Sequence, residues 1–128
     1  MLESLYVKFI FEEATLDSLD IARFIVNTVE DKKAEDIVVL DMRKLINFCD
    51  YFVICSGTSD RHVGAIADHI EEELSKRGHR IKATLGMRKS NWIVFDTGDV
   101  VTHIFQKQVR EFYNLEGLWQ EAKAINWE

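Results

Sequence analysis

The chain has 128 residues, of which 47% are hydrophobic, and this suffices for one domain whose core needs neither disulfides nor a metal. Its formal net charge of −6 argues against a protein that holds nucleic acid mainly through phosphate contacts, because that affinity depends on clustered lysine and arginine. A basic protein surface is a better match for this charge.

The first fifteen residues are too apolar for a disordered tail, so we expect them to dock somewhere, with another subunit as one candidate. Acidic residues outnumber the single Lys8 as far as residue 20, unlike the basic start of a secretory signal or an arginine-rich transit peptide. No apolar run is long enough to suggest a membrane span. We therefore expect a cytoplasmic protein, with residues 1–15 as an extension of unassigned role and residues 16–128 as one domain.

The domain is predicted to begin with a helix. Apolar residues recur at helical spacing after Asp17 and Ser18, which can cap, and they predict a helix that ends near Asp31. Residues 37–40 then predict a short strand, and residues 42–48 a loop.

A buried strand running into a glycine turn comes next. The aromatic and β-branched run from Tyr51 to Cys55 predicts the strand. In the turn, Gly57 can adopt a positive φ or permit a close backbone approach, Ser59 or Thr58 can cap the following helix, and the Asp60 charge complements the helix start. The same groups can cradle a phosphate, so the turn is either a capped junction or an anion site.

The two cysteines, Cys49 and Cys55, lie in or beside this strand. No Cys-x-x-Cys pair and no Cys/His ligand spacing occurs in the sequence, which argues against a zinc site or a disulfide framework. We expect both thiols to be reduced, buried and inert, and we expect no cofactor.

The second half of the chain predicts a helix, three strands and a final helix. An apolar stripe after Ser59 with a stop signal at Gly78 predicts the first of these helices. Residues 80–85 predict a strand, and residues 109–119 predict the last helix, whose Tyr113, Leu118 and Trp119 are interpreted as packing residues. The order α-β-β-α-β-β-β-α indicates an α/β single domain with a mixed sheet of about five strands and helices packed mainly on one face.

The two strands within residues 92–105 predict a hairpin around the turn at residues 96–99. Alternation places Trp92, Val94 and Asp96 on one face of the hairpin and Ile93 and Phe95 on the other.

Six separated motifs stand out along the chain. They are Asp31-Lys32-Lys33-Ala34-Glu35-Asp36-Ile37, Asp50-Tyr51-Phe52-Val53-Ile54, Gly57-Thr58-Ser59-Asp60-Arg61-His62, Ile66-Ala67-Asp68, Trp92-Ile93-Val94-Phe95-Asp96-Thr97-Gly98-Asp99-Val100-Val101-Thr102-His103-Ile104-Phe105 and Arg110-Glu111-Phe112-Tyr113-Asn114-Leu115-Glu116-Gly117-Leu118-Trp119. In this order they closely resemble the ribosomal silencing factor family, also called iojap-like, over about residues 20 to 120. Two loops depart from the family pattern: Leu85-Gly86 lacks the usual acid before its glycine, and Gln106-Lys107-Gln108 replaces the usual His-Pro-Glu.

The resemblance implies an α/β domain related to the nucleotidyltransferase fold that acts as a binding protein and not as an enzyme. Members of the family bind the large ribosomal subunit through its fourteenth large-subunit protein, at the face where the small subunit docks. Occupying that face blocks association of the subunits and represses translation. The implied mechanism is steric competition for a shared surface, without a membrane or a sequence-specific nucleic-acid contact.

The hairpin that begins at Trp92 carries the expected partner-binding residues, which are Trp92, Val94, Asp96, Gly98, Asp99 and His103. Tryptophan gives a large contact area at modest entropy cost, and the aspartates can meet basic side chains of the partner. Alternatives stay open for three kinds of residue: Trp92 as a core aromatic, the aspartates as turn residues around Gly98, and His103 as a core histidine.

A second hypothesis is a nucleotide-binding or nucleotidyltransferase enzyme that uses the Gly57-Thr58-Ser59 turn. Such enzymes pair a glycine-serine turn with closely spaced carboxylates on one strand, which hold Mg²⁺. Here Asp96 and Asp99 are spaced Asp-x-x-Asp around a turn, which does not place both carboxylates on one strand face. A third hypothesis is a homodimer formed through the apolar N-terminal segment.

Overall fold

The computed structural model of the protein describes residues 17–86 and 91–126. Its helices are α1 (Ser18–Asp31), α2 (Asp60–Lys76), α3 (Lys107–Tyr113) and α4 (Leu115–Leu118). Its strands are β1 (Glu35–Asp41), β2 (Tyr51–Gly57), β3 (Ala83–Leu85), β4 (Trp92–Asp96), β5 (Val100–Gln106) and β6 (Lys123–Ala124). None of the helices in these two ranges is long and apolar enough to cross a membrane.

The six strands form one mixed sheet in the order β3-β4-β5-β2-β1-β6. Strand β2 lies at the centre, where it pairs parallel to β5 and antiparallel to β1, and all seven of its residues are buried. In a strand that is buried on both faces, neither set of alternating side chains faces water. This explains the continuous apolar run that starts at Tyr51. The predicted single-domain mixed sheet is confirmed, and β6 is a strand that the sequence did not reveal.

The caps of the two long helices are those that the sequence predicts. The Asp17 side chain accepts a hydrogen bond from Asp20 N at the start of α1, and the Ser59 side chain accepts one from His62 N at the start of α2. Each bond satisfies an amide that has no partner within its helix. After α2 the chain turns at Gly78, whose φ of 71° is the left-handed conformation that glycine adopts readily.

Two hydrophobic clusters lie on opposite faces of the sheet. The larger cluster packs α1 and α2 against one face through residues such as Ile25, Ile70 and Val53. The smaller cluster includes Phe52 and Phe105, and it also takes residues of α3, α4 and the loop after β1. We call the two sides of the sheet the α1/α2 face and the C-terminal face.

The predicted final helix over residues 109–119 is wrong, because the chain forms two short helices there. Asn114, between α3 and α4, has a φ of 48°, a left-handed conformation that asparagine tolerates better than most residues. Its side chain accepts a hydrogen bond from Gly117 N and so caps α4. The predicted strand over residues 80–85 is reduced to β3, and the expectation for residues 1–15 lies outside the described residues.

Candidate functional site

The β4-β5 hairpin divides its side chains between the two faces of the sheet as the alternation predicts. Ile93 and Phe95 are buried in the cluster beneath α1 and α2. Trp92 and Val94 pack at the edge of the cluster on the C-terminal face, where both remain partly exposed. Of the expected partner-binding residues, this arrangement brings Trp92 and Val94 together on one accessible surface.

The Trp92 side chain lies in a layer of aromatic rings. It stacks on Phe105, its cross-strand neighbour, with ring centroids 4.7 Å apart and 26° between the planes. The centroid of the Tyr113 ring from α3 is 4.9 Å from that of Trp92, with 45° between the planes. Aromatic cross-strand pairs favour a fixed geometry, so the indole is held in position before any partner arrives.

His103 lies below this layer and orients Trp92. The indole Nε1 of Trp92 donates a hydrogen bond to His103 Nδ1 over 3.3 Å, and the His103 ring packs edge-on against Phe52. His103 is only 7% exposed, and burial lowers its pKa to about 4. A neutral imidazole can accept at Nδ1, whereas an imidazolium cannot, so the lowered pKa preserves the bond to Trp92. The structure thus places His103 as a buried support of the surface.

The turn of the hairpin is closed by its own polar groups. Asp96 Oδ1 accepts from Gly98 N over 2.8 Å, and the Thr97 hydroxyl and amide both bond to Val100 O. Gly98 has a φ of 103°, so a side chain there would be strained. The backbone oxygen of Asp99 accepts from Asp50 N and Tyr51 N, which ties the turn to the start of β2.

Acidic side chains gather at this end of the hairpin. Burial, with the negative charges of Asp50, Asp96 and Asp99, raises the pKa of the neighbouring Cys49 thiol to about 12. Lys82 lies alongside, since its side chain would be in contact with a Cβ added at Gly98. Three carboxylates beside one ammonium give the end of the hairpin a negative character, in agreement with the net charge of the chain.

The structure adds exposed apolar residues that the sequence interpretation missed. The packing interpretation is correct for Trp119, which contacts Phe52, and in part for Tyr113, which contacts Trp92 but is 55% exposed. It is wrong for Leu118, which is 72% exposed. Phe112 is also exposed and lies edge-on to Tyr113, with centroids 5.1 Å apart. The signal that could have revealed them is Asn114-Leu115-Glu116-Gly117, in which a capping residue and a glycine interrupt the helical pattern.

Leu85 extends this surface across the edge of the sheet. It is the cross-strand partner of Val94, and Val94 is in turn the partner of His103, so the three side chains share one face. Leu85 is 65% exposed. We use the name hairpin site for Leu85, Trp92, Val94, Asp96 and Tyr113, with Asp99 at its acidic end.

The Gly57-Thr58-Ser59 turn is bonded to the start of α2 and, through His62, to the end of α1. The amide of Thr58 bonds to His62 Nδ1 over 2.9 Å, and His62 Nε2 in turn lies 2.7 Å from the carbonyl oxygen of Lys32 at the end of α1. At Gly57 a Cβ atom would lie 2.9 Å from Val63 N, so glycine is needed there for a close approach of strand and helix. These contacts favour the capped junction over the phosphate cradle.

The cation that bonds to Ser56, the residue before Gly57, is also engaged with a carboxylate. Arg110 is 8% exposed, and its guanidinium donates to Ser56 Oγ and to Glu116 Oε1, each over 2.8 Å. Loss of either partner would leave a buried charge uncompensated, so the two bonds fix the end of β2 to α4. Arg110 therefore holds the C-terminal helices against the end of β2.

Both cysteines are free and buried, as the sequence predicts. Within residues 17–86 and 91–126, no three histidine, cysteine, aspartate or glutamate side chains are grouped so that they could hold a metal ion. The hairpin site therefore offers aromatic and aliphatic contact area with an acidic end, which suits the recognition of a protein surface.

Comparison with known proteins identifies relatives over most of the chain. Residues 15–128 match the family model described as "Ribosomal silencing factor during starvation". A ribosomal silencing factor of Bacillus subtilis is 45% identical over 93 residues, covering 73% of this chain and 79% of that protein. One from Halalkalibacterium halodurans is 38% identical over 113 residues, covering 88% and 97%. A crystal structure of a Chromobacterium violaceum protein superposes with a TM-score of 0.79 at 31% identity, covering 82% of this chain and 88% of that one.

Proposed function

The chain belongs to the ribosomal silencing factor family, and from that premise we propose that it binds the large ribosomal subunit and represses translation. The contact is made through the fourteenth large-subunit protein, and the bound factor blocks association with the small subunit. The observation that carries this proposal is the family match over residues 15–128.

The hairpin site supplies the contact surface. Trp92 is held by Phe105 and His103 and keeps part of its ring exposed, with Val94 and Leu85 beside it. A preorganised aromatic residue surrounded by aliphatic ones is the usual centre of a binding hot spot, because little side-chain freedom is lost when the partner arrives.

The acidic end of the site orients the partner. Asp96 and Asp99 face a basic ribosomal protein across the rim of the contact, where charges add steering and register more than affinity. A chain of net charge −6 is repelled by exposed ribosomal RNA, so a protein on the subunit is the better docking surface.

The mechanism requires occupancy and no chemistry. We propose that the protein is not an enzyme, because the amide of Thr58 in the Gly57 turn is bonded to His62 and the Asp96 carboxylate is bonded within its own turn. Repression then follows from mass action: the factor competes with the small subunit for one surface, and its effect depends on concentration and affinity.

Purified ribosomal subunits test this proposal. The wild-type chain is expected to cosediment with large subunits and to reduce the light-scattering signal of subunit joining. A Trp92→Ala protein is expected to bind at least about tenfold more weakly, because a central aromatic anchor contributes more than about 1.4 kcal/mol. Glu72→Ala, on the exposed side of α2, is the control and should bind as the wild type does.

Two outcomes would contradict different parts of the proposal. If the wild-type chain bound no large subunits, the ribosomal function would be wrong. If Trp92→Ala remained folded by circular dichroism and bound undiminished, the function would stand and the hairpin site would be wrong.

A further inference from the structure

A groove on the α1/α2 face lies outside the hairpin site. It has a volume of about 180 Å³ and is lined by Ile21 and Phe24 of α1 and by Leu74, Arg77 and His79 at the end of α2. A cavity of roughly 150 Å³ takes a benzene-sized ring, so this groove has room for one aromatic side chain. We call it the α1 groove.

The polar groups of the α1 groove indicate an occupant with acidic character. The Arg77 guanidinium lies 4.2 Å from the centroid of the Phe24 ring, so the groove presents an aromatic surface under a cation. The Nε2 atom of His79 is buried and has no hydrogen-bond partner among residues 17–86 and 91–126. Arg23 also lines the groove, and Asp20 is the one acidic lining residue within the described part of the chain.

The start of the chain has the matching composition. Residues 1–14 carry seven large apolar side chains, which are Leu2, Leu5, Tyr6, Val7, Phe9, Ile10 and Phe11. They also carry Glu3, Glu12 and Glu13 against one lysine. The family match begins at residue 15, so this segment needs an explanation that belongs to this chain.

The chain is also long enough to reach the groove. Residue 16 leads directly into Asp17, the N-cap of α1, and Ile21 lies about one turn further along that helix. The groove then follows α1 as far as Asn27, a distance of about 10 Å at the helical rise. Fourteen residues span about 20 Å even as a helix, so the segment can turn back and cover the whole groove.

We propose that residues 1–14 dock into the α1 groove of their own chain, with an aromatic side chain in the groove and the glutamates facing Arg77. The segment covers Phe24 and Ile21, which the domain otherwise leaves partly exposed. This inference is independent of the ribosomal function, because the α1 groove and the hairpin site lie on opposite faces of the sheet.

Hydrogen exchange of the full chain, followed by mass spectrometry, tests the docking. In the wild type, amides of residues 2–14 are expected to exchange at least about tenfold more slowly than in a Phe9→Ser, Phe11→Ser protein. Phe112→Ser, an exposed aromatic on the other face, is the matched control and should leave this protection unchanged. Exchange of residues 2–14 at the rate of an unstructured peptide in the wild type would overturn the proposal.

A charge exchange tests the partner groups. Arg77→Glu is expected to reduce the protection of residues 2–14, and adding Glu12→Lys and Glu13→Lys to it should restore part of that protection. Lys76→Glu makes the same change one residue away, where the lysine faces Glu72 and Glu73, and it should have no effect on the segment. Equal effects of Arg77→Glu and Lys76→Glu would contradict the docking.

The concentration dependence distinguishes the chain's own segment from that of a second copy. Docking within one chain predicts the same protection at every protein concentration. Protection that disappears on dilution, together with a dimer in sedimentation velocity, would show that the segment is exchanged between copies and would overturn the proposal.

Discussion

The indole N–H of Trp92 donates a hydrogen bond to Nδ1 of His103, a buried residue on the neighbouring strand. The orientation of a partly exposed side chain therefore depends on the protonation state of a buried one. Burial lowers the pKa of His103 to about 4, which keeps Nδ1 available as an acceptor throughout the neutral range.

This coupling predicts a pH dependence of stability. The pKa of His103 is lowered from 6.5 to about 4 in the folded protein, so the unfolded chain binds more protons between these values. The contribution of neutral His103 to the free energy of unfolding is fully present above pH 6.5. It falls by about 3 kcal/mol as the pH decreases toward 4. Urea denaturation at several pH values should show a steeper loss for the wild type than for His103→Gln, whose amide oxygen can still accept from Trp92. Parallel pH profiles of the two proteins would contradict the assignment.

The acidic end of the hairpin site predicts a salt effect on ribosome binding. Asp96→Asn with Asp99→Asn preserves the turn, because an asparagine oxygen can still accept from Gly98 N. We expect affinity for large subunits to fall by about three- to tenfold at low salt and to depend less on salt than in the wild type, because rim charges are screened. Glu72→Gln, which removes one charge from α2, is the control. An unchanged salt dependence would mean that these carboxylates do not face the partner.

Gly57 predicts a packing defect. Alanine would place its Cβ 2.9 Å from both the backbone nitrogen and a methyl carbon of Val63, closer than such atoms approach. The strand and the helix must move apart to admit it, so Gly57→Ala is expected to lose about 1–3 kcal/mol of unfolding free energy in urea. Ser75→Ala, at an exposed position of α2, should change stability by less than about 0.5 kcal/mol. A Gly57→Ala protein as stable as the wild type would show that the junction has room to spare.

The two thiols predict slow chemical modification. Burial raises the pKa of both Cys49 and Cys55 to about 12, so neither forms much thiolate at neutral pH. Iodoacetamide should label the folded protein at least about a hundredfold more slowly than the urea-unfolded chain, as measured by intact mass. Rapid labelling of one cysteine in the folded protein would show that its strand opens locally.

The sequence predicts the helices and the hairpin well because local interactions determine them. Asp17 and Ser59 cap the helices that they were expected to cap, and the apolar stripe of α2 faces the core. Trp92 and Ile93 point to opposite faces of the sheet because successive residues of a pleated strand alternate.

The features that the sequence misses depend on distant contacts. Strand β6 is two exposed residues that pair with Leu40 and Asp41, and no local pattern identifies so short a strand. The role of His103 likewise follows from a bond between two strands. The exposure of Tyr113 is the exception, because it follows from a local break in the helix at Asn114. The spacing of apolar residues shows which side chains share a face of a helix or strand. It does not show whether another element covers that face.

The parallel pairing of β2 with β5 has a consequence for how the chain folds. Tyr51 pairs with Val100, more than a third of the chain away, whereas the β4-β5 hairpin closes over the three residues 97–99. Because loop-closure entropy favours local contacts, we expect the hairpin to form first and its docking on β2 to follow. During synthesis β2 can pair with β1 as soon as both strands have emerged, but its other edge stays unpaired until β5 has been made. In this order of events the face that carries Trp92 and Val94 forms early as a local unit, and the core beneath it closes last.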